Sequence, residues 1–331
     1  MLKICTRKLR DLVLRAFNVR QIRHALKKYD VAAKVPVFVI ASPPDMHLSP
    51  FSVRDPPKEI FPVILANGLS AQDISWIQSR VQGTPVVNLA ASLTGNRETY
   101  LSHAEVIHAV AGAYKSDFCI QDADCLVLNN SLWSEIIAAQ GNLYGVGPFI
   151  KNSSWAGRQI PDTFLVKIDA ASFRSVCQAA RIDASICKAP GDRVSQLLVE
   201  SDWGDAVFPE PYKDYFDTLQ RYWVAAELMG LQFKLVPGAS EKVFHIGGSS
   251  YITSFEQPDL THWDFWPANT VYFHLRFAEL LDDVVVKDRL SGLCQQYGGS
   301  SGVTQLLPAY KESWRYHESE FILKSIFGCT P

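Results

Sequence analysis

From residue 35 onward the chain alternates short, continuously apolar runs with longer segments of helical periodicity, which restricts it to few folds. Val37-Phe38-Val39-Ile40 reads as a buried strand, stopped by Ala41-Ser42-Pro43-Pro44. Phe61 to Ala66 is a second strand, ending at Asn67-Gly68, after which Ser70 caps a helix over roughly Ala71 to Arg80. Pro85 to Leu89 is a third strand. Residues 99–114 fit a helix with Ala104, Ile107, His108 and Ala111 on one side. Phe118-Cys119-Ile120 is a fourth strand and runs straight into Asp122-Ala123-Asp124. Such alternation predicts an α/β fold, a mostly parallel sheet with helices on both faces. Ligands of these sheets bind at the carboxyl ends of the strands, which places Ser42, Asn67 and Asp122 at one edge.

The second half is less regular. Phe164 to Ile168 reads as a strand, Ala170 to Ala180 and residues 193–200 as helices, and 212–229 as an aromatic-rich helical stretch. Phe233 to Val236 and Val243 to Ile246 are short strands, and from about 270 the chain is helical, broken by Gly298-Gly299-Ser300-Ser301-Gly302. The expected division is a basic helical segment 1–34, a catalytic domain 35–270 and a helical extension 271–331.

Charge separates the first segment from the rest. The net charge is −2, which makes nucleic acid an unsuitable partner for the whole molecule, yet residues 1–34 hold ten Lys/Arg against two Asp/Glu, a net of +8. Residues 8–29 read as a helix with Leu9, Leu12, Val13, Ala16 and Phe17 on one apolar face and Arg10, Arg15, Arg20, Arg23, Lys27 and Lys28 around much of the remainder. Two readings stand side by side: an interfacial helix on an anionic membrane, and a solvated helix packed on the domain's flank. Seven scattered cysteines lack C-x-x-C spacing, which argues against a zinc cluster and a dense disulfide framework. The expectation is a cytoplasmic protein, with residues 1–34 available for peripheral contact with the inner face of a membrane.

The sharpest chemical feature is Gln121-Asp122-Ala123-Asp124-Cys125. Two carboxylates one residue apart follow a buried strand, with Leu126-Val127-Leu128 beyond them. At a strand end both can turn toward one divalent cation, and oxygen ligands of this kind suit Mg²⁺ or Mn²⁺, which also bind diphosphate.

Here the chain resembles the GT-A glycosyltransferases, particularly family 2-like members of the nucleotide-diphospho-sugar transferase superfamily, with a Rossmann-like sheet. The resemblance covers about residues 35–255. Ser102-His103-Ala104 through Asp124 resembles the family's helix near the sugar nucleotide, followed by the strand that ends in D-x-D. By resemblance Asp122 lies near the ribose and metal, Asp124 ligates the metal on the diphosphate, and Ser42, Asn67 and His103 fall on the nucleotide side. Asn67 stands where family members often place an acid. Pro190-Gly191-Asp192-Arg193 looks like the family's acidic turn, with Gly191 replacing the first acid, so Asp192 is either the catalytic base or simply a helix cap. Phe244-His245-Ile246-Gly247-Gly248-Ser249 resembles the late His and glycine-rich loop, by which His245 is a third metal ligand or a diphosphate contact; the other reading is a structural residue after a strand. Trp263, Phe265 and Trp266, beside His262 and Asp264, are either acceptor-stacking or core residues. Gln220-Arg221-Tyr222-Trp223 has the wrong spacing for a processive polymerase signature and reads as helix core.

What the resemblance implies is a metal-dependent enzyme that moves a sugar from a nucleotide-diphosphate donor to a glycan or lipid-linked acceptor, inverting if Asp192 is the base. A nucleotidyltransferase of the same superfamily is the first alternative, although Ser42-Pro43-Pro44 supplies none of its glycine-rich, basic signature. A non-catalytic carbohydrate-binding protein is the second.

Overall fold

The structure is a computed structural model that describes residues 2–29, 34–91, 100–139, 141, 143–145, 161–180, 219–236, 238, 241–247, 266–296 and 310–328. Among the described residues, seven strands form the main sheet: β1 (Val35–Ala41), β2 (Ile60–Asn67), β3 (Val86–Leu89), β4 (Phe118–Asp122), β6 (Leu143–Gly145), β7 (Leu165–Ile168) and β8 (Phe233–Leu235). Their order is β3-β2-β1-β4-β7-β6-β8. The pairs β3–β2, β2–β1, β1–β4 and β6–β8 are parallel, whereas β7 runs antiparallel to both β4 and β6. A two-stranded ribbon, β5 (Cys125–Val127) with β9 (Val243–His245), sits beyond the end of β4.

The apolar runs lack polar alternation because both sheet faces are covered. Phe38, Ile40, Val63, Leu65, Phe118 and Ile120 enter one core, and their neighbours Val37, Val39, Ile64, Ala66 and Cys119 enter the other. This is the period-two geometry of strands applied to two apolar layers. β6 approaches β7 so closely that a Cβ on Gly145 would lie 2.5 Å from the Leu165 carbonyl oxygen, so only glycine fits there.

On the first face lie α1 (Leu2–Lys27), α4 (His103–Ala113), α6 (Ala170–Ala179) and α7 (Gln220–Leu228). α1 starts six residues earlier than its apolar pattern suggests. α4 buries Val106, Ile107, Ala109, Val110 and Ala111, while Ala104 and His108 are half-buried. The buried surface of α4 is thus broader than the single apolar side expected, since α1 and α6 both pack against this helix. Tyr222 and Trp223 of α7 are core residues. On the second face lie α3 (Ala71–Gln78), α5 (Ser131–Ala138), α8 (Trp266–Leu281) and α9 (Val284–Gln296). α8 also joins α10 (Trp314–Phe327) in a third core with Leu48, Leu126, Phe244 and Ile246, against which Phe51 of the short helix α2 (Ser49–Ser52) packs. The expected boundary at residue 270 falls within α8.

Ion pairs tie α9 to α3. Arg289 pairs with Asp73, and Arg80 with Asp283, whose carboxylate also accepts from Trp76 Nε1 at 3.0 Å. No helix among the described residues is long and apolar enough to cross a membrane. Cys119, Cys125 and Cys177 are buried.

Candidate metal centre at the carboxyl edge

The parallel register brings four chain segments to one edge. Ile40 stands opposite Leu65 and Asp122, and Asn67 opposite Leu89. β1 and β2 each pass into a turn with Ser and an acid three residues on, Ser42/Asp45 and Ser70/Asp73, and the same pair, Ser102/Glu105, opens α4. Ser70 and Ser102 form full capping boxes. At Ser42 both the backbone N–H and the hydroxyl donate to Asp45 Oδ1, at 2.7 and 3.0 Å.

Asp122 closes β4, and Asp124 lies in the turn to β5. The turn is held by backbone bonds: Asp122 N–H donates to Phe164 O at 2.9 Å, and Ala123 N–H to Ile40 O at 3.2 Å. Gln121 Nε2 donates to Cys125 O at 2.8 Å, and Ser52 Oγ to Ala123 O. The β5–β9 ribbon then fixes the imidazole. Cys125 pairs with His245, Ile246 N–H donates to Asp124 O at 3.1 Å, and the Phe164 ring stacks on His245 at 4.1 Å. One ligand atom from each of Asp122, Asp124 and His245 lies within 4.8 Å of the others. His245 Nε2 is 3.4 Å from Asp124 Oδ1, and His103 Nε2, at the first turn of α4, is 3.6 Å from Asp122 Oδ1.

The sequence-expected residues therefore separate by task. Asp122, Asp124, His245 and His103 converge. Ser42 is buried and supports Asp45. Asn67 clamps the chain before α4: its Nδ2 donates to Leu101 O and its Oδ1 accepts from Leu101 N–H, both at 2.8 Å. Asp192, its flanking motif, and the side chains of residues 262–266 lie outside the described residues.

Three contributors escape sequence reading: Asp45, His47 and His274. Burial, then the nearby Asp124 carboxylate, with Asp122 adding to it, push Asp45 well above the ordinary carboxylate range, against the Ser42 hydrogen bonds. The spacing Ser42-x-x-Asp45 was the available signal. His47 follows in the 3₁₀ turn Met46–Leu48, and its Nε2 lies 2.9 Å from Nδ1 of His274 in α8. Burial holds His47 well below its usual pKa and takes His274 down to about 4, with Asp124 opposing the latter. Thr270, one helical turn before His274, donates to Gly247 O at 2.7 Å and so secures the strand end that carries His245. For His245 itself burial disfavours the charged ring, but the Asp124 carboxylate outweighs it and the pKa is raised.

Buried carboxylates facing each other carry an electrostatic cost that a divalent cation relieves. Two carboxylates and an imidazole are a donor set that fits Mn²⁺ or Mg²⁺. The residues present thus suit the ion the sequence resemblance implies.

The strand order, the reversed β7 and the acidic pair at the end of β4 define the class: an α/β chain built on a mostly parallel sheet, with paired carboxylates at its carboxyl edge. Within it, residues 18–173, just under half of the chain, match the StrH glycosyltransferase N-terminal domain. That stretch runs from α1 to α6 and includes both aspartates. Similar solved structures include the glycosyltransferase GlyE of Streptococcus pneumoniae TIGR4 (10% identity, TM-score 0.37, covering 63% of this chain and 46% of that one). The galactosyltransferase LgtC, solved with donor and acceptor sugar analogues, is similar at 12% identity and TM-score 0.38, over 71% of this chain and 95% of that one. S. aureus TarS 1–349 is similar at 11% identity and TM-score 0.32, over 89% and 90%. The chain spans less than half the length of the GlyE chain it matches. No curated protein sequence matches.

Proposed function

We propose that this protein transfers a sugar, of hexosyl type, from a nucleotide-diphosphate donor to a hydroxyl acceptor on a glycan or lipid-linked saccharide. The observation that carries this reading is the convergence of Asp122, Asp124 and His245 within 4.8 Å at the carboxyl edge. A bound Mn²⁺ or Mg²⁺ would stabilise the charge that develops on the departing diphosphate. Asp122 and Asp124 supply anionic oxygens, and His245 a neutral nitrogen once its proton has left. His103, held at the start of α4 by the Ser102–Glu105 box, lies on the Asp122 side, where a donor's ribose and phosphate would approach. The N-terminus of α4 faces the same edge and favours negative charge there.

Asp192 is the proposed base, which makes the reaction a single displacement with inversion. Asn caps a helix nearly as well as Asp but cannot accept the acceptor's proton. Asp192→Asn should therefore keep thermal stability and lose transfer by about two to four orders of magnitude. The first experiment is a panel of nucleotide-diphosphate sugars incubated with Mn²⁺ or excess chelator. Cation-dependent release of nucleotide diphosphate supports the reading, and hydrolysis undiminished by chelator contradicts it.

A further inference from the structure

α1 is bound to the domain along one stripe and bare along another. Leu14, Asn18, Ile22 and Leu26, four residues apart, are buried. Asn18 is the most specific of these anchors. Its Nδ2 donates to Ala90 O at 2.9 Å and its Oδ1 accepts from Ala90 N–H at 2.8 Å, one residue past the end of β3. The helix is therefore pinned beside the same carboxyl edge that carries the acidic centre.

Immediately before that anchor, Leu12, Val13 and Phe17 are 62%, 45% and 44% exposed. Further along the helix Arg20, His24 and Lys27 are exposed as well. Large apolar side chains clustered on about one and a half turns keep an unfavourable contact with water, which burial in an apolar phase removes. Cations alone would suit any polyanion, but a polyanion such as nucleic acid offers no apolar phase for these three side chains. A bilayer with anionic headgroups offers both. Charge also sets the orientation. Residues 1–34 carry +8 and the whole chain −2, so the rest carries −10 and is repelled by the surface that attracts α1.

We propose that the outward face of α1 docks on an anionic lipid bilayer, seating Leu12, Val13 and Phe17 among the acyl chains and holding the carboxyl edge close to the headgroups. The acceptor is then a saccharide on a lipid at that surface. This last clause rests on the transferase reading above, whereas the docking does not.

The test is flotation of the full chain with vesicles of equal parts phosphatidylcholine and phosphatidylglycerol, beside phosphatidylcholine alone. Wild-type protein should float with the anionic vesicles and not with the neutral ones, and high salt should weaken the association. The triple variant Leu12→Ser/Val13→Ser/Phe17→Ser should bind at least about tenfold more weakly. Val284→Ser, at an apolar residue 69% exposed at the start of α9 on the opposite sheet face, should bind like wild type. Undiminished binding by the triple variant, equal loss in both variants, or binding to heparin without binding to vesicles would each overturn the proposal. Donor hydrolysis measured in solution on the same samples separates the two ideas. Flotation without hydrolysis leaves docking standing and removes the transferase reading; hydrolysis without flotation does the reverse.

Discussion

Two groups of acids in the molecule have opposite neighbours. At the contact with α9, each carboxylate meets a guanidinium: Asp73 pairs with Arg289, and Asp283 with Arg80. At the carboxyl edge, Asp45, Asp122 and Asp124 face one another, and imidazoles stand beside them. The first arrangement lowers the energy of the charged carboxylates; Asp283 is held below its ordinary pKa despite burial, by hydrogen bonds from Trp76 and the backbone and by Arg80. The second raises it. A latch is complete within the chain, whereas a cluster of like charges would be relieved by the cation proposed above. Residue types are nearly the same in both, so what distinguishes structure from site is the sign of the neighbours.

The comparison can be broken first at Asp124. Asp124→Ala should reduce cation-dependent donor hydrolysis by at least about a thousandfold, because the loss falls on charge stabilisation at the leaving group. The cation-free protein should melt no lower than wild type. A variant that hydrolyses donor normally would move the chemistry elsewhere. The latch gives the opposite result. Arg289→Ala leaves Asp73 with its capping bonds but without its partly buried partner, which should cost about 1–3 kcal/mol in denaturant unfolding. Its affinity for Mn²⁺ should be unchanged.

Acidity sharpens the difference further. His47 and His274 have folded pKa values below the ordinary 6.5, so the unfolded chain binds more protons as pH falls. Their contribution to stability is present above about pH 6.5 and is lost as pH falls toward 4. His274→Gln should flatten that part of the stability profile, read by thermal melts across the range; an unchanged slope would show that the buried pair does not titrate on unfolding. The smallest expected effect belongs to Asp45. Asp45→Asn keeps the shape, removes one like charge, and should raise cation-free stability by up to about 1 kcal/mol. It should also weaken Mn²⁺ binding modestly, which a destabilised variant with full affinity would contradict.

How much of this was legible in the chain depended on how local the cause was. β1, β2 and β4 announce themselves because strands buried on both faces must be apolar throughout, and Ser70 marks α3 because its cap is written three residues apart. β6 carries no such signal: three residues are too short for a periodicity, and its place is set by pairing with β7 and β8. At the centre, Asp122 and Asp124 could be singled out because an apolar strand leads into them. His47 and His274 are 227 residues apart and meet only through the packing of α8. Asn67 looked like a ligand-facing residue at a strand end, and the fold gives it a clamp on Leu101 to perform.

The account stands or falls on the cation. Mn²⁺ titrated into the full chain at neutral pH, followed by the loss of the free-ion electron paramagnetic resonance signal, measures it without donor or acceptor. One site per chain is expected, with a rise in melting temperature as the ion fills it. Affinity should increase with pH as His245, whose pKa is raised, gives up its proton to the solvent. Asp122→Ala, Asp124→Ala and His245→Ala should each weaken or abolish that binding. Wild-type protein that binds no Mn²⁺, or binds it equally well after any two of these residues are replaced together, would contradict the assignment.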